Sequence, residues 1–165
     1  MGRKQTPRKR LGHLEQRRVD RILSAVRGFQ LTKSDQGQRE TTLNCRLILR
    51  LQQLDPGIVN RGIAATTFVG ETFRPECTLK GTGQYTLLAI ECKRLRDSSA
   101  KRLFKEGLSQ VLLYSGTTKV VLLVLYDFTT GARYAKAFGP GNRLASKMAK
   151  QLREQLQIHV VVLTP

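Results

Sequence analysis

The sequence predicts an α/β fold in which a mixed central sheet is flanked by helices, and three observations predict it. Apolar residues recur at helical spacing in segments 11–29, 38–54, 98–115 and 143–156. Segments 85–93 (YTLLAIECK) and 119–126 (KVVLLVLY) are apolar on both faces for most of their length, as strands buried between two layers must be. The resulting order, α-α-β-β-β-α-β-α-β, needs helices on both sides of one sheet.

The first ten residues, MGRKQTPRKR, carry five positive charges and no apolar face, which predicts a flexible basic arm over 1–10. An N-terminal helix and linker follow over 11–37. Leu11, Leu14, Val19, Ile22, Val26 and Phe29 fall on roughly one face, the arginines at 17, 18, 21 and 27 take the rest, and Gly28 is the stop. Polar residues 32–38 read as a loop. The core domain, 38–165, opens with a helix carrying Leu43, Leu47, Leu51 and Leu54 in register, ended by Asp55-Pro56-Gly57. Strands are expected at 62–69, 73–79 and 85–93. The helix over 98–115 is expected to bury Leu103, Phe104, Leu108, Val111 and Leu112, and strand 119–126 follows it. A C-terminal αβ extension pairs helix 143–156, with Leu144, Met148, Leu152 and Leu156 at intervals of four, with strand 158–164.

Charge narrows the function. In 165 residues, 29 Lys and Arg stand against 12 Asp and Glu, a net +17. That excess calls for a polyanion, and nucleic acid is the commonest. Arg3, Lys4, Arg8, Lys9, Arg10, Arg17, Arg18 and Arg21 are the candidate phosphate contacts. No apolar run reaches the roughly 18 residues of a membrane span, so no membrane partner is expected. The basic start is not followed by a signal-peptide apolar segment. Cys45, Cys77 and Cys92 cannot all pair and form no Cys-x-x-Cys, which points to a reducing, cytoplasmic location. His13 and His159 lie at opposite ends of the chain, so a zinc site is not expected. Neither a Gly-x-Ser-x-Gly elbow nor a P-loop occurs; Gly139-Pro140-Gly141-Asn142 is a turn.

The chemistry concentrates in RPECTLKGTGQYTLLAIECKR, residues 74–94. Alternation along a strand puts Glu91 and Lys93 on one face and Cys92 on the other. A two-residue Gly83-Gln84 turn makes opposed residues sum to 167, so Glu76 faces Glu91 directly. Facing carboxylates repel. A divalent cation removes the objection, and an all-oxygen donor set describes Mg²⁺ or Mn²⁺. Lys93 beside it would orient and help deprotonate a water and offset charge on a phosphorane-like transition state. Glu40, one turn before Leu43, falls on the apolar, sheet-facing side of its helix, an odd place for an unpaired carboxylate.

Pro75-Glu76 followed by Glu91-Cys92-Lys93, on adjoining strands between two helices, resembles the PD-(D/E)xK nuclease superfamily, which includes restriction endonucleases and archaeal Holliday-junction resolvases. The likeness covers about residues 38–126 and implies a restriction-endonuclease-like αβββαβ core. It implies a metal-dependent endonuclease acting on DNA, branched or recombination intermediates included. Glu76 and Glu91 would then ligate the metal together with the Cys92 backbone carbonyl, Lys93 would serve the water, and Glu40 would stand at the acid of the first core helix. Gln110 and Tyr114 match a Gln/Tyr pattern of a subset of members. Glu76 replaces the commoner Asp after the proline. A homodimer would supply two sites for two strands. Two other readings fit the same residues: a basic nucleic-acid-binding protein that keeps the fold without catalysis, and a nuclease toxin or mobile-element cleavage subunit.

Overall fold

The computed structural model describes residues 11–60, 66–68, 71–83, 85–139 and 141–165. The chain forms α1 (His13–Arg27), a short 3-10 helix (Lys33–Gly37), α2 (Glu40–Leu54) and β1 (Ile58–Asn60). It continues with β2 (Thr66–Phe68), β3 (Glu71–Phe73), β4 (Cys77–Lys80), β5 (Thr86–Leu95) and α3 (Ala100–Tyr114). Then come β6 (Val120–Asp127), α4 (Arg133–Phe138), α5 (Arg143–Leu156) and β7 (Ile158–Leu163).

Five strands make one mixed sheet in the order β1-β4-β5-β6-β7, while β2 and β3 form a separate two-stranded hairpin. β1, β4 and β5 run antiparallel to their neighbours, and β5, β6 and β7 are parallel. Parallel neighbours need crossovers, which α3 provides between β5 and β6, and α4 with α5 between β6 and β7. All eight residues of β6 are buried, which is why its sequence shows no alternation.

Helices cover both faces. On one, Val19, Ile22 and Val26 of α1 and Leu43, Leu47 and Leu51 of α2 pack with Leu88, Ile90, Cys92 and Leu122. On the other, Val111 and Tyr114 of α3 pack with Ala89, Val121, Leu123 and Leu125, flanked by half-buried Phe138, Leu152 and Leu156. Each fully buried leucine contributes about 2 kcal/mol to this adhesion. The fold is therefore the expected α/β one. Since α1 shares a core with α2 and the sheet, it is part of the domain rather than an appendage. Among the described residues no helix is long and apolar enough to cross a membrane.

Several local expectations are corrected. The polar loop after α1 is wound into the 3-10 helix, with the Asp35 carboxylate accepting from the Thr32 N–H at 2.8 Å. The strand expected at 73–79 is split into β3 and β4 by Arg74-Pro75-Glu76, where proline offers no ladder donor. Leu14, Leu54, Leu112 and Leu144, assigned to buried faces, are exposed. The basic arm and residues 62–65 and 69 of the strand expected at 62–69 lie outside the described residues.

Asp55, which ends α2, ties the first two helices to the sheet edge. Arg18 grips it with Nε to Oδ2 at 2.8 Å and Nη2 to Oδ1 at 2.9 Å, Arg21 approaches Oδ2 at 3.3 Å, and the Gly57 N–H donates at 3.0 Å. Arg18 hydrogen bonds hold Asp55 below the usual carboxylate range. A depressed pKa stabilises the fold above the unfolded value and the benefit is lost as pH falls through the folded one. Asp55→Ala should cost about 3 kcal/mol, read from urea melts. Asp55→Asn should flatten the acid limb of stability against pH below about 4. A wild-type-like acid limb in that variant would remove Asp55 from this role.

Candidate active site

β5 carries the site because alternate residues of it face different layers. Leu88, Ile90 and Cys92 enter the α1/α2 core, while Ala89 and Leu95 enter the α3 core, so Glu91 and Lys93 between them point toward α3. β4 meets β5 with Cys77 opposite Ile90 and Leu79 opposite Leu88, sums of 167, the expected register. It is reached differently. Lys80 pairs with Thr86, and the Gly81 N–H donates to the Tyr85 carbonyl, so three residues, not two, make the turn. A bulge at Leu79/Lys80, with Leu87 the extra residue on β5, restores the pairing. Continuing the alternation of β4, in which Cys77 and Leu79 face the α1/α2 core, turns Glu76 to the same side as Glu91.

The opposing wall is α3. Glu106, Gln110 and Tyr114 recur every four residues along one stripe of it. Lys93 Nζ lies 3.0 Å from Glu91 Oε1 and 3.1 Å from Glu106 Oε1, so one ammonium is shared by two carboxylates. The buried Tyr114 hydroxyl donates to Glu91 Oε2 at 3.3 Å. Gln110 does not pair with Tyr114; its Oε1 is buried without a hydrogen-bond partner. Glu106 was not singled out from the sequence, although its spacing to Gln110 and Tyr114 was the available signal. Gly107 brings α3 close: a Cβ there would stand 2.8 Å from Lys93 Cγ and 3.0 Å from Leu123 Cδ1.

Glu40 arrives from elsewhere than expected. Its helix, α2, covers the face opposite α3, and Glu40, as the first residue of α2, sits at the rim. There its Oε2 accepts the Arg94 backbone N–H at 2.6 Å, on the edge of β5 past the last paired residue of β4. By the two-residue period, the Cys92 carbonyl lies along that same edge. Among the described residues no three acidic, His or Cys side chains close on one point tightly enough to hold a metal ion. The donor chemistry nevertheless fits one: Glu40, Glu76, Glu91 and the Cys92 carbonyl offer oxygen only, as Mg²⁺ or Mn²⁺ prefers.

The electrostatics describe an excess of negative charge around one buried carboxylate, Glu91. Burial, with Glu76 adding to it, pushes Glu91 up to about 7 despite Lys93 and Tyr114. Burial also raises Glu40, against the Arg94 N–H and Lys93, with Glu76 and Glu106 adding to the rise. Burial would lower Lys93, but attraction to Glu91 and Glu106 wins and holds it above its ordinary value. Lys93 therefore keeps its proton at neutral pH. Four carboxylates face one ammonium here, in a chain that is otherwise strongly basic.

Other candidate residues take structural places. Arg18 is engaged by Asp55 and the Lys80 carbonyl, and Arg21 leans on Asp55 with its side chain half exposed. Arg17 is exposed, whereas Arg3, Lys4, Arg8, Lys9 and Arg10 lie outside the described residues. Burial pushes the Cys77 thiol up to about 12, and Cys92 is raised likewise, so neither thiol is a nucleophile. Asp127 caps α4, accepting from the Tyr134 and Ala135 N–H groups at 2.8 and 2.9 Å.

Two outcomes test this geometry. Alanine usually stabilises a helix over glycine by about 1 kcal/mol, yet Gly107→Ala should lower Tm, because Lys93 and Leu123 must move. A Tm at or above wild type would mean the contact is loose. Glu91, raised from an unfolded value near 4.3, binds a proton in the native state that the unfolded chain releases. Its contribution is greatest below about 4.3 and is lost as pH rises through about 7. Unfolding free energies of the metal-free protein should thus fall between about pH 5 and about pH 8, and fall less in Glu91→Gln. Equal slopes would refute the burial of that charge.

Compared with models of known protein families and with curated proteins, the chain matches none, and the reading of this site stands on its own residues.

Proposed function

We propose that this protein is a metal-dependent nuclease that hydrolyses phosphodiester bonds, with DNA the preferred substrate. The observation that carries the reading is the gathering of Glu40, Glu76, Glu91 and Glu106 around Lys93 in a chain of net charge +17. A polyanion is drawn by the whole molecule, and carboxylates that would repel it are collected where a cation can mediate the contact. The likeness of Pro75-Glu76…Glu91-Cys92-Lys93 to the PD-(D/E)xK nucleases points the same way.

In this reading Glu76, Glu91 and the Cys92 carbonyl hold Mg²⁺ or Mn²⁺, with Glu40 at the rim as a further carboxylate. The bound ion supplies a Lewis acid for a phosphoryl oxygen and a water of lowered pKa. Lys93, held between Glu91 and Glu106, would orient that water and offset charge building on phosphorus. Tyr114 fixes the second oxygen of Glu91. A homodimer would bring two such sites to two strands, and a reducing, cytoplasmic setting suits three free thiols. The second reading, nucleic-acid binding without catalysis, is favoured by one observation: Lys93 already neutralises Glu91.

Labelled linear, flap and four-way DNA substrates incubated with Mg²⁺, Mn²⁺ or a chelator separate the two readings. Cleavage should require the metal. Glu76→Ala and Glu91→Ala should each slow it by more than about a hundredfold while DNA affinity is kept. Wild-type protein that binds all three substrates and cuts none would leave the non-catalytic reading standing.

A further inference from the structure

A second charged feature lies at the far edge of the sheet. Where α1, α5 and β7 meet, a cleft of about 220 Å³ is lined by Arg27, Lys150, Arg153, His159 and Ser146, with Phe138 and Val160 among its apolar wall. It wraps the free edge of β7. Val161 and Leu163 join the α1/α2 core and Ile158, Val160 and Val162 the α3 core, so His159 opens toward α1 and Val160 toward α5. Arg27 and Arg153 have no ion-pair partner among the described residues, and Lys150 has only Glu154, at 3.9 Å on its own helix. The nearby acid Asp20 accepts from Gln16 at 2.9 Å. Burial and the two arginines push His159 below its ordinary value, the response of an imidazole in a positive field.

The surroundings have the same sign. Over residues 128–165 the only acid is Glu154, against Arg133, Lys136, Arg143, Lys147, Lys150 and Arg153. Arg143, Lys147 and Lys150, spaced by four and three, form one exposed row on α5. This surface shares a sheet with the carboxylate cluster. Glu91 is in register with Leu123, and Leu123 with Val160, so the cleft stands on the row of Glu91 two strands away, about 10 Å across the sheet.

We propose that this cleft is an anion seat that receives a phosphodiester group of a nucleic-acid backbone, making the β7 edge with α5 the main docking surface for nucleic acid. Its volume admits one phosphodiester and a few waters, each about 30 Å³. Two unpaired guanidinium groups provide forked donors for phosphate oxygens, Lys150 adds a point charge, and the Ser146 hydroxyl, which donates to the Gly139 carbonyl at 3.3 Å, keeps lone pairs. That the polyanion is a nucleic acid rests on the nuclease reading; that the seat takes phosphate does not.

The test is fluorescence anisotropy of the full chain with a short labelled DNA duplex in chelator, over a series of salt concentrations. The triple variant Arg27→Gln/Lys150→Gln/Arg153→Gln is compared with Lys33→Gln/Arg39→Gln/Lys101→Gln, which removes the same number of exposed charges away from the cleft. The seat variant should bind about tenfold more weakly, with the slope of log affinity on log salt shallower by about 0.9 per lost contact, and the control should stay near wild type. Equal losses in both variants, or none in either, would overturn the proposal and leave a solvated basic face. Two further outcomes would also overturn it: loss of inorganic phosphate binding with duplex affinity intact, or loss of binding to phosphatidylserine vesicles alone. Unaltered thermal melts of the variant guard against misfolding. Wild-type protein that cuts nothing in Mg²⁺ or Mn²⁺ yet binds the duplex through the cleft would sink the nuclease reading and keep this one.

Discussion

β5 is buried along both faces, so each residue of it answers to one of two helical layers, and the two-residue period decides which. Even positions from Leu88 to Cys92 are apolar and meet α1 and α2; Glu91 and Lys93 at odd positions meet α3. Burying an ion pair is not a route to stability, because desolvation can exceed the attraction gained. The arrangement persists because the apolar half of β5 and all of β6 anchor the strand regardless of what Glu91 and Lys93 cost. The apolar core and the buried charges are thus divided between the two faces of one strand.

This division explains what the sequence could tell. The alternation along YTLLAIECK puts Glu91 and Lys93 on one face, and a one-residue slip would turn both charges into the α1/α2 core, which specifies the register. The turn was not: a two-residue turn and a three-residue turn with a compensating bulge lead to the same pairing, and no residue between Lys80 and Thr86 distinguishes them. β1 has three residues, too few for any periodicity, and is a strand only because β4 offers it an edge. α4 is one and a half turns long and depends on the Asp127 carboxylate as its cap, a contact across the β6 terminus that local sequence does not reveal. Glu40 was legible as a carboxylate out of place, but that its helix covers the opposite face, leaving it at the rim, needed the packing of α2.

The use of acids separates structure from site. Glu15, Asp35, Asp55, Asp97 and Asp127 each accept from backbone N–H groups. Fixed donors stabilise the charged carboxylate, and Glu15, Asp35, Asp55 and Asp97 are held below their ordinary values by side-chain partners together with these N–H groups. Having only 12 acids, the chain spends most of those outside the cluster on fixing backbone, so its surface keeps the basic excess that a polyanion would meet. This is also why Arg18 looked like a phosphate ligand in sequence: a bidentate partner 37 residues away cannot be seen from one helix face.

The carboxylate cluster follows the opposite rule, and that contrast is the strongest physical ground for calling it a site. A structural ion pair in a core settles into a fully satisfied network, since every unpaired buried atom costs free energy. Here Glu91 is driven up to about 7, Glu40 is raised, one ammonium is divided between two carboxylates, and Gln110 Oε1 is left orphaned. Gly107 lets α3 press onto the stem of Lys93, so the ammonium is fixed in place rather than free to follow the charge. Negative charge that its own protein does not fully neutralise would be relieved by added positive charge on the side of Glu40 and Glu76, the two carboxylates that act on it through space. Perturbed groups of this kind cluster where chemistry is done, and the burial that raises Glu91 is the same burial that would make a cation held there count for most.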